Sequence, residues 1–283
     1  MKLARPDVFH PRLVLAGCPV LPGGQSDDDA LVPALAARGL HARWLSWDDP
    51  ALGAADLVIP RCVAGYAERL AEFRAVIAAP NVLLDTATLD WNSDRRYLLE
   101  LADRGVPTVP TTVLAPGGRL AEEPAAPVVV GPAVGTGTRR CTERGAAAEH
   151  IGRLHRDGRV ALVQPYLTES RTALVFLAGR ASHAFTAEGA VDADFSLWDL
   201  GAAALDAAAA RLDTTAAGFL AARAEVTGGP GAARLLRLNL IGPRLGWLAL
   251  DAQARAGRLR EFALAVESVL QRRGLGPLSH RRP

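Results

Sequence analysis

Through the first ninety residues, short apolar runs alternate with segments whose apolar positions recur at helical spacing. Residues 12–16 read as a short apolar strand. Ser26-Asp27-Asp28-Asp29 supplies N-cap chemistry for a helix running to Ala37, with Gly39 placed to close it. Strand patterns follow at residues 42–46, 56–60 and 81–84, with a helical pattern at 66–78 between the last two. Strands that alternate with helices in this way predict parallel βαβ units and a small doubly wound domain.

The pattern then changes. Residues 92–105 carry the helical spacing Tyr97, Leu98, Leu101, Ala102 and end on Gly105. Strands at 108–113 and 128–130 are separated by turns rich in Pro and Gly. A helix at 146–156 precedes a strand at 160–164. Two strands at 172–177 and 181–185, joined by Ala178-Gly179-Arg180, predict a hairpin. An alanine-rich helix spans 201–212, and strands at 219–227 and 233–241 flank Gly228-Gly229-Pro230-Gly231. A helix at 259–272 closes the fold, and residues 274–283 read as a loose basic tail. No internal repeat interrupts this order.

Composition narrows the function. Apolar residues make up 49% of the 283, enough for a sizeable core, and the net charge of +2 is too small to attract nucleic acid or a membrane by field alone. Neither is expected as a partner. Cys18, Cys62 and Cys141 are scattered and odd in number, which argues against a disulfide framework or a zinc site and for a reduced, cytoplasmic setting. The first residues lack a signal-peptide core, and no stretch of about 18 apolar residues exists. Lys2 is the only lysine, so the folded body has none for chemistry. That removes a P-loop lysine, and residues 17–24 lack the glycine spacing of a dinucleotide fingerprint after the first strand. Cys62, at a strand end, has no nearby histidine in sequence to activate it as a nucleophile.

Six stretches carry more information in their order than any does alone. They are Trp91-Asn92-Ser93-Asp94-Arg95-Arg96-Tyr97-Leu98-Leu99, Gly105-Val106-Pro107-Thr108-Val109-Pro110-Thr111, residues 128–139, Gln164-Pro165-Tyr166-Leu167, Arg223-Ala224-Glu225, and Arg237-Leu238-Asn239-Leu240-Ile241-Gly242-Pro243. In this order they resemble the ATP-grasp superfamily. The nearest resemblance is to its small carboxylate–amine ligases, such as the glutathione synthetase, ribosomal-protein glutamate ligase and D-cycloserine synthetase enzymes. The resemblance implies a mixed α/β and α+β fold: a Rossmann-like part at residues 1–90, a central ATP-grasp lobe at 91–163 and a C-terminal lobe at 164–283. It implies a reaction in which ATP phosphorylates a carboxylate and an amine attacks the acyl phosphate, in small-molecule biosynthesis. ATP and Mg²⁺ are the implied cofactors, and a small acid and amine the implied substrates. Homodimers occur among relatives, so a second copy or a partner subunit is a further possible partner.

On that resemblance, Gly135 and Gly137 cover phosphates with backbone N–H groups, and Gln164, Tyr166 and Leu167 line the adenine. Glu169 stands near the ribose position. Arg95 matches one phosphate-contacting lysine, and Gly131 stands where the family has another. Arg223 matches the arginine that contacts the transferring phosphate. Glu225 and Asn239 match metal positions, and Arg237 stands where a metal-binding glutamate is usual. Arg61, with Tyr66, and His183 are the candidates for substrate contact, His183 having as its alternative a structural hydrogen-bonded role.

Three readings of Arg237 stay open: an ion pair with Glu225 that fills the metal site, a working magnesium site despite it, or direct phosphate binding. The whole chain has two readings. It is an ATP-dependent ligase with an eroded nucleotide site, or an inactive ATP-grasp protein that binds a partner or metabolite.

Overall fold

In the computed structural model, which describes residues 10–122, 127–143 and 145–276, β1 (Leu13–Gly17) is buried at every position. It lies at the centre of a parallel sheet, between β2 (Ala42–Ser46) and β3 (Leu57–Pro60). A strand covered on both faces must be apolar throughout. Leu13 and Leu15 face α1 (Leu31–Ala36) and the last helix, while Val14 and Ala16 face Phe73 and Ile77 of α2 (Leu70–Ile77).

The predicted order holds here, with three local differences. Asp27 and Asp28 do not cap α1, whose start has no side-chain cap. Both are buried and bonded elsewhere. The helix expected at 66–78 opens as a tight 3₁₀ turn, Tyr66–Arg69, before α2. Residues 81–84 make only one bridge to the sheet, between Val82 and Val58. Asn81 spends its side-chain amide on the Leu52 and Ala55 carbonyls at 3.0 and 2.9 Å.

The single helix expected at 92–105 is two: α3 (Thr86–Asn92) and α4 (Tyr97–Asp103). The break has a physical cause. The Arg95 N–H donates to the Ala133 carbonyl at 2.9 Å, and Asp94 bridges Val134, so residues 94 and 95 are drawn out of helical bonding.

A four-stranded antiparallel sheet runs β4–β7–β5–β6, made of β4 (Thr112–Leu114), β5 (Val128–Pro132), β6 (Arg139–Cys141) and β7 (Ala161–Pro165). α5 (Ala146–Arg156) covers it through Ile151 and Leu154. β6 was not legible in the sequence, because its three residues include two exposed arginines.

The second antiparallel sheet has five strands in the order β10–β9–β8–β11–β12: β8 (Arg171–Leu177), β9 (Arg180–Phe185), β10 (Ala190–Val191), β11 (Ala221–Thr227) and β12 (Arg234–Asn239). The β8–β9 turn places Ala178 and Gly179 at φ of 47° and 78°, the left-handed pair that a two-residue hairpin requires. One face of the sheet, with Leu174, Phe176, Ala222, Ala224 and Leu238, packs on α4 and on α6 (Phe195–Arg211). The opposite face carries Val175 and Leu177 toward Trp247 and α7 (Ala252–Arg272), in one core with Leu13 and Leu15 of the parallel sheet. α6 and α7 begin earlier than their periodicity indicates. Asp194 and Asp251 cap them, each accepting a backbone N–H at 2.8 Å. Of the expected basic tail, residues 277–283 lie outside the described residues.

Candidate functional site

Alternation along β11 and β12 decides which side chains meet. Ala224 and Leu238 face the α6 core, so Arg223, Glu225, Arg237 and Asn239 all project from the other face. In the register Arg223 stands opposite Asn239 and Glu225 opposite Arg237, with a bulge directly after Glu225. The antiparallel pairing expected across the 228–231 turn is therefore present.

The ion pair expected between Arg237 and Glu225 does not form. Glu225 accepts from the Arg223 guanidinium instead, and Arg223 also donates to the Arg244 carbonyl at 3.1 Å. Arg223 is two positions from Glu225 on the same face of one strand, so its fork reaches the carboxylate without crossing to β12. Arg237 is exposed and has no hydrogen bond or salt bridge with any described residue.

Segment 91–98 docks against the same strand. Asn92 donates to the Leu238 carbonyl and accepts from the Leu240 N–H, both at 2.9 Å, and the Tyr97 hydroxyl bonds both backbone groups of Leu238. These buried bonds bring Arg95 to the site.

The Arg95 guanidinium donates to the Pro132 carbonyl and, at 3.2 Å, to Thr138 Oγ1. It lies against Gly131: a Cβ there would overlap Thr138 Oγ1 and sit 3.0 Å from Arg95 Nη2. Burial holds the Arg95 pKa down to about 10, and the charges of Arg237 and Arg159 add to that lowering. Burial also lowers Arg223, opposed by Glu225 and reinforced by Arg237. Tyr66 and Tyr97 are each pushed up to about 12 by burial, with Arg237 pulling both the other way. Arg237 thus acts on Tyr66, Arg95, Tyr97 and Arg223 together.

The glycine loop lies between β5 and β6. Gly135 and Gly137 have φ of 87° and 106°, which L side chains rarely adopt. Arg159 braces it from beneath, donating to the Val134 and Thr136 carbonyls at 2.9 and 2.8 Å, and His150 Nε2 bonds the Gly137 carbonyl at 2.8 Å. Thr136 donates to Glu68 at 2.7 Å, tying the loop tip to the turn after β3. At the end of β7, Gln164 donates to Thr111 Oγ1 at 2.9 Å, and the Arg140 guanidinium stacks 3.8 Å over the Tyr166 ring. Leu167 is half-buried beside them, and Glu169 is exposed.

A 500 Å³ cavity adjoins the sheet face, lined among others by Arg171, Phe185, Glu188, Arg223, Glu225 and Arg244. Its far wall is the loop at 244–249, held by Asp27, which accepts the Gly246 and Leu248 N–H groups at 2.8 and 3.0 Å.

Two expected substrate contacts are placed elsewhere. Arg61 is 1% exposed and gives its guanidinium to buried Asp28 at 2.9 Å, with the Phe262 ring 5.7 Å from its Cζ. No face of that guanidinium is open to a small molecule. His183 is buried between Phe185 and Trp247. Its Nε2–H donates to the Leu245 carbonyl at 2.6 Å, which leaves Nδ1 to accept from Ser182 Oγ at 3.0 Å. It positions the cavity loop from behind, the structural alternative for a strand histidine. Thr138, Arg140, Arg159, Arg171 and Arg244 also belong to the site without standing out in the sequence, and Asp27 serves it in place of capping a helix. Only Thr138 and Arg140, within or beside the glycine loop, carried a local signal.

The implied metal fits these residues poorly. Among the described residues, no group of three or more His, Cys, Asp or Glu could hold a metal ion. The carboxylate of Glu225 is taken by Arg223, and a free guanidinium stands opposite it in register. Mg²⁺ commonly depends on one or two carboxylates beside phosphate oxygens, and here Glu225 is already paired with a guanidinium. The residues suit a polyanion: Arg237 adds like charge to both Arg95 and Arg223, and of these three arginines only Arg223 is paired with Glu225.

A family model described as the N-terminal domain of D-cycloserine synthetase DcsG matches residues 13–85. The cycloserine biosynthesis protein DcsG of Streptomyces lavendulae is 31% identical over 182 residues, 56% of this chain and 61% of that protein. The chain thus matches less than two thirds of that relative's length. The crystal structure of D-cycloserine synthetase DcsG superposes with a TM-score of 0.77 at 28% identity, covering 92% of this chain and 99% of that one. The ATP complex of D-alanine–D-alanine ligase from Bacillus anthracis gives a TM-score of 0.66 over 93% and 98% of the two chains, at 13% identity, a likeness of fold alone. The chain has the ATP-grasp fold, and among proteins of that fold it resembles D-cycloserine synthetase.

Proposed function

We propose that this protein is an ATP-dependent carboxylate–amine ligase of small-molecule biosynthesis. ATP transfers its terminal phosphoryl group to a carboxylate oxygen, releasing ADP. The amine nitrogen then attacks the acyl carbon, forming the amide and expelling phosphate. The observation that carries this reading is that Arg223 lines a 500 Å³ cavity on the five-stranded sheet and shares the field of Arg237 with Arg95, the arginine seated beside the braced glycine loop.

Each part has a role that its chemistry supports. The loop N–H groups and Arg95 bind phosphates, and residues 164–167 receive the adenine. Arg223, already oriented by Glu225, offers its remaining donors to the transferring phosphate. The guanidiniums of Arg171 and Arg244 suit the carboxylate of a small acid in the cavity. The division into parts at residues 1–90, 91–163 and 164–283 is proposed with this reading, as is a small acid and amine as substrates. No helix among the described residues is long and apolar enough to cross a membrane.

The test is acyl-phosphate trapping. The protein is incubated with ATP, hydroxylamine and a panel of small carboxylic and amino acids. ATP-dependent hydroxamate from one acid class, lost in Arg223→Ala, is the expected result. Absence of hydroxamate and of ADP across the panel would leave the second reading, a nucleotide- or metabolite-binding protein without turnover. That second reading is favoured by one observation, the engagement of Glu225 with Arg223 in place of a metal.

A further inference from the structure

Arg237 is the charged group of the site that the other interactions leave over. Glu225, its cross-strand neighbour, is committed to Arg223. Arg95 is anchored on the Pro132 carbonyl and Thr138, and Arg159 is spent on the loop carbonyls of Val134 and Thr136. Arg237 stands exposed on β12 with no hydrogen bond or ion pair to a described residue. Arg237 repels both Arg95 and Arg223, a standing cost that an anion among them removes. The strand that offers this cation is fixed: Asn92 and Tyr97 clamp the backbone on either side of Asn239, at Leu238 and Leu240. An unpaired guanidinium on that strand also matches phosphate oxygens through its planar fork.

Resting on the nucleotide site proposed above, we propose that this site binds the polyphosphate of its nucleotide without a divalent cation, the Arg237 guanidinium supplying the charge that a metal ion would. Two features of the donor set support it. Arg223 already occupies one carboxylate oxygen of Glu225, and Asn239 lies opposite Arg223 and not opposite Glu225. The phosphate-facing charge is thus built into side chains, and phosphate binding becomes independent of free magnesium.

The experiment is calorimetric titration of the full chain with AMP-PNP, and separately with inorganic tripolyphosphate, in EDTA and in excess Mg²⁺. The wild-type protein is expected to bind AMP-PNP in EDTA within about threefold of its affinity in Mg²⁺. Tripolyphosphate is expected to bind in EDTA too, since phosphates alone meet the arginines. Arg237→Gln should weaken EDTA binding at least tenfold, as loss of a charged hydrogen-bond donor does. Arg237→Glu should weaken it further. Arg237 is exposed, so both variants are expected to fold, and circular dichroism checks this. Binding by the wild type only in Mg²⁺, or EDTA binding unchanged in Arg237→Gln, overturns the inference and leaves the ligase reading standing. No binding of either probe to a folded protein under any condition overturns both.

Discussion

Removing the carboxylate of Asp28 gives the largest effect the fold offers at a single charged position. Asp28 is 0% exposed, and its partner Arg61 is 1% exposed at 2.9 Å. Arg61 Nε already lacks a hydrogen-bond partner, so the pair leaves the guanidinium little else to hold it. Asp28→Ala would bury an uncompensated guanidinium among Phe262 and the surrounding core. Breaking such a pair costs about 3–5 kcal/mol, whereas replacing both partners by apolar side chains of similar volume is often close to neutral. The double variant Asp28→Leu/Arg61→Met should therefore lie within about 2 kcal/mol of the wild type. The coupling between the two sites should then exceed about 2 kcal/mol. Urea unfolding followed in parallel by tryptophan fluorescence and circular dichroism measures Asp28→Ala and the cycle of wild type, Asp28→Leu, Arg61→Met and the double variant. Additive single-variant costs, or an Asp28→Ala cost under about 1 kcal/mol, would refute the reasoning. The same cycle tests the placement of Arg61. A double variant that folds yet loses substrate binding would return Arg61 to the site.

Gly131→Ala should cost about 1–2 kcal/mol of stability and weaken nucleotide binding about tenfold. The added Cβ displaces both Thr138 and the Arg95 guanidinium, and wild-type affinity in a thermal-shift titration would oppose this. Asp27→Ala leaves the buried Gly246 N–H and the part-buried Leu248 N–H without their partner, an expected loss of about 1–3 kcal/mol. Limited proteolysis should then cut within 244–249 first. Burial lowers the His183 pKa, so the unfolded chain takes its proton first as pH falls. The stability tied to the neutral ring is present above about pH 6.5 and is lost as pH falls from there toward the folded value. His183→Asn should flatten the difference in urea midpoint between pH 7.5 and 5.5, and an unchanged difference would count against that assignment.

The parallel sheet and the β8–β9 hairpin were legible because their signals are local: a doubly buried strand is apolar throughout, and Ala178-Gly179 takes the left-handed turn. The faces of β11 and β12 were legible too, since alternation alone puts Arg223 with Glu225 and Arg237 with Asn239. What the sequence hid is set by distant partners. The break between α3 and α4 depends on Ala133, forty residues on, capturing the Arg95 N–H. Asp27 and Asp28 looked like a helix cap because three acids before a helix usually are one. Their bonds run instead to Gly246, Leu248 and Arg61. Arg61 and His183 were read as substrate groups because sequence shows a side chain's chemistry and not its burial. The choice of Arg223 over Arg237 by Glu225 is a competition between two reachable guanidiniums, and periodicity puts both on the same face.

Gly131 and Arg95 depend on one another for space. A side chain at 131 would fill the space that the Arg95 guanidinium occupies, and Arg95 in turn bonds the Pro132 carbonyl and Thr138 beside it. Arg95 thus brings a planar fork from the α3–α4 connection into the space beside Gly131. Restoring lysine at 131 while Arg95 remains would crowd two cations into one space, so Gly131→Lys alone should weaken phosphate binding. The same logic applies across β11 and β12. With Glu225 held by Arg223, a glutamate at 237 would face a carboxylate already neutralised, while an arginine there adds an unpaired cation. Under the nucleotide site proposed above, both positions favour contact with phosphate through a guanidinium over contact through a metal. In a chain whose only lysine is Lys2, that is the contact its side chains can make.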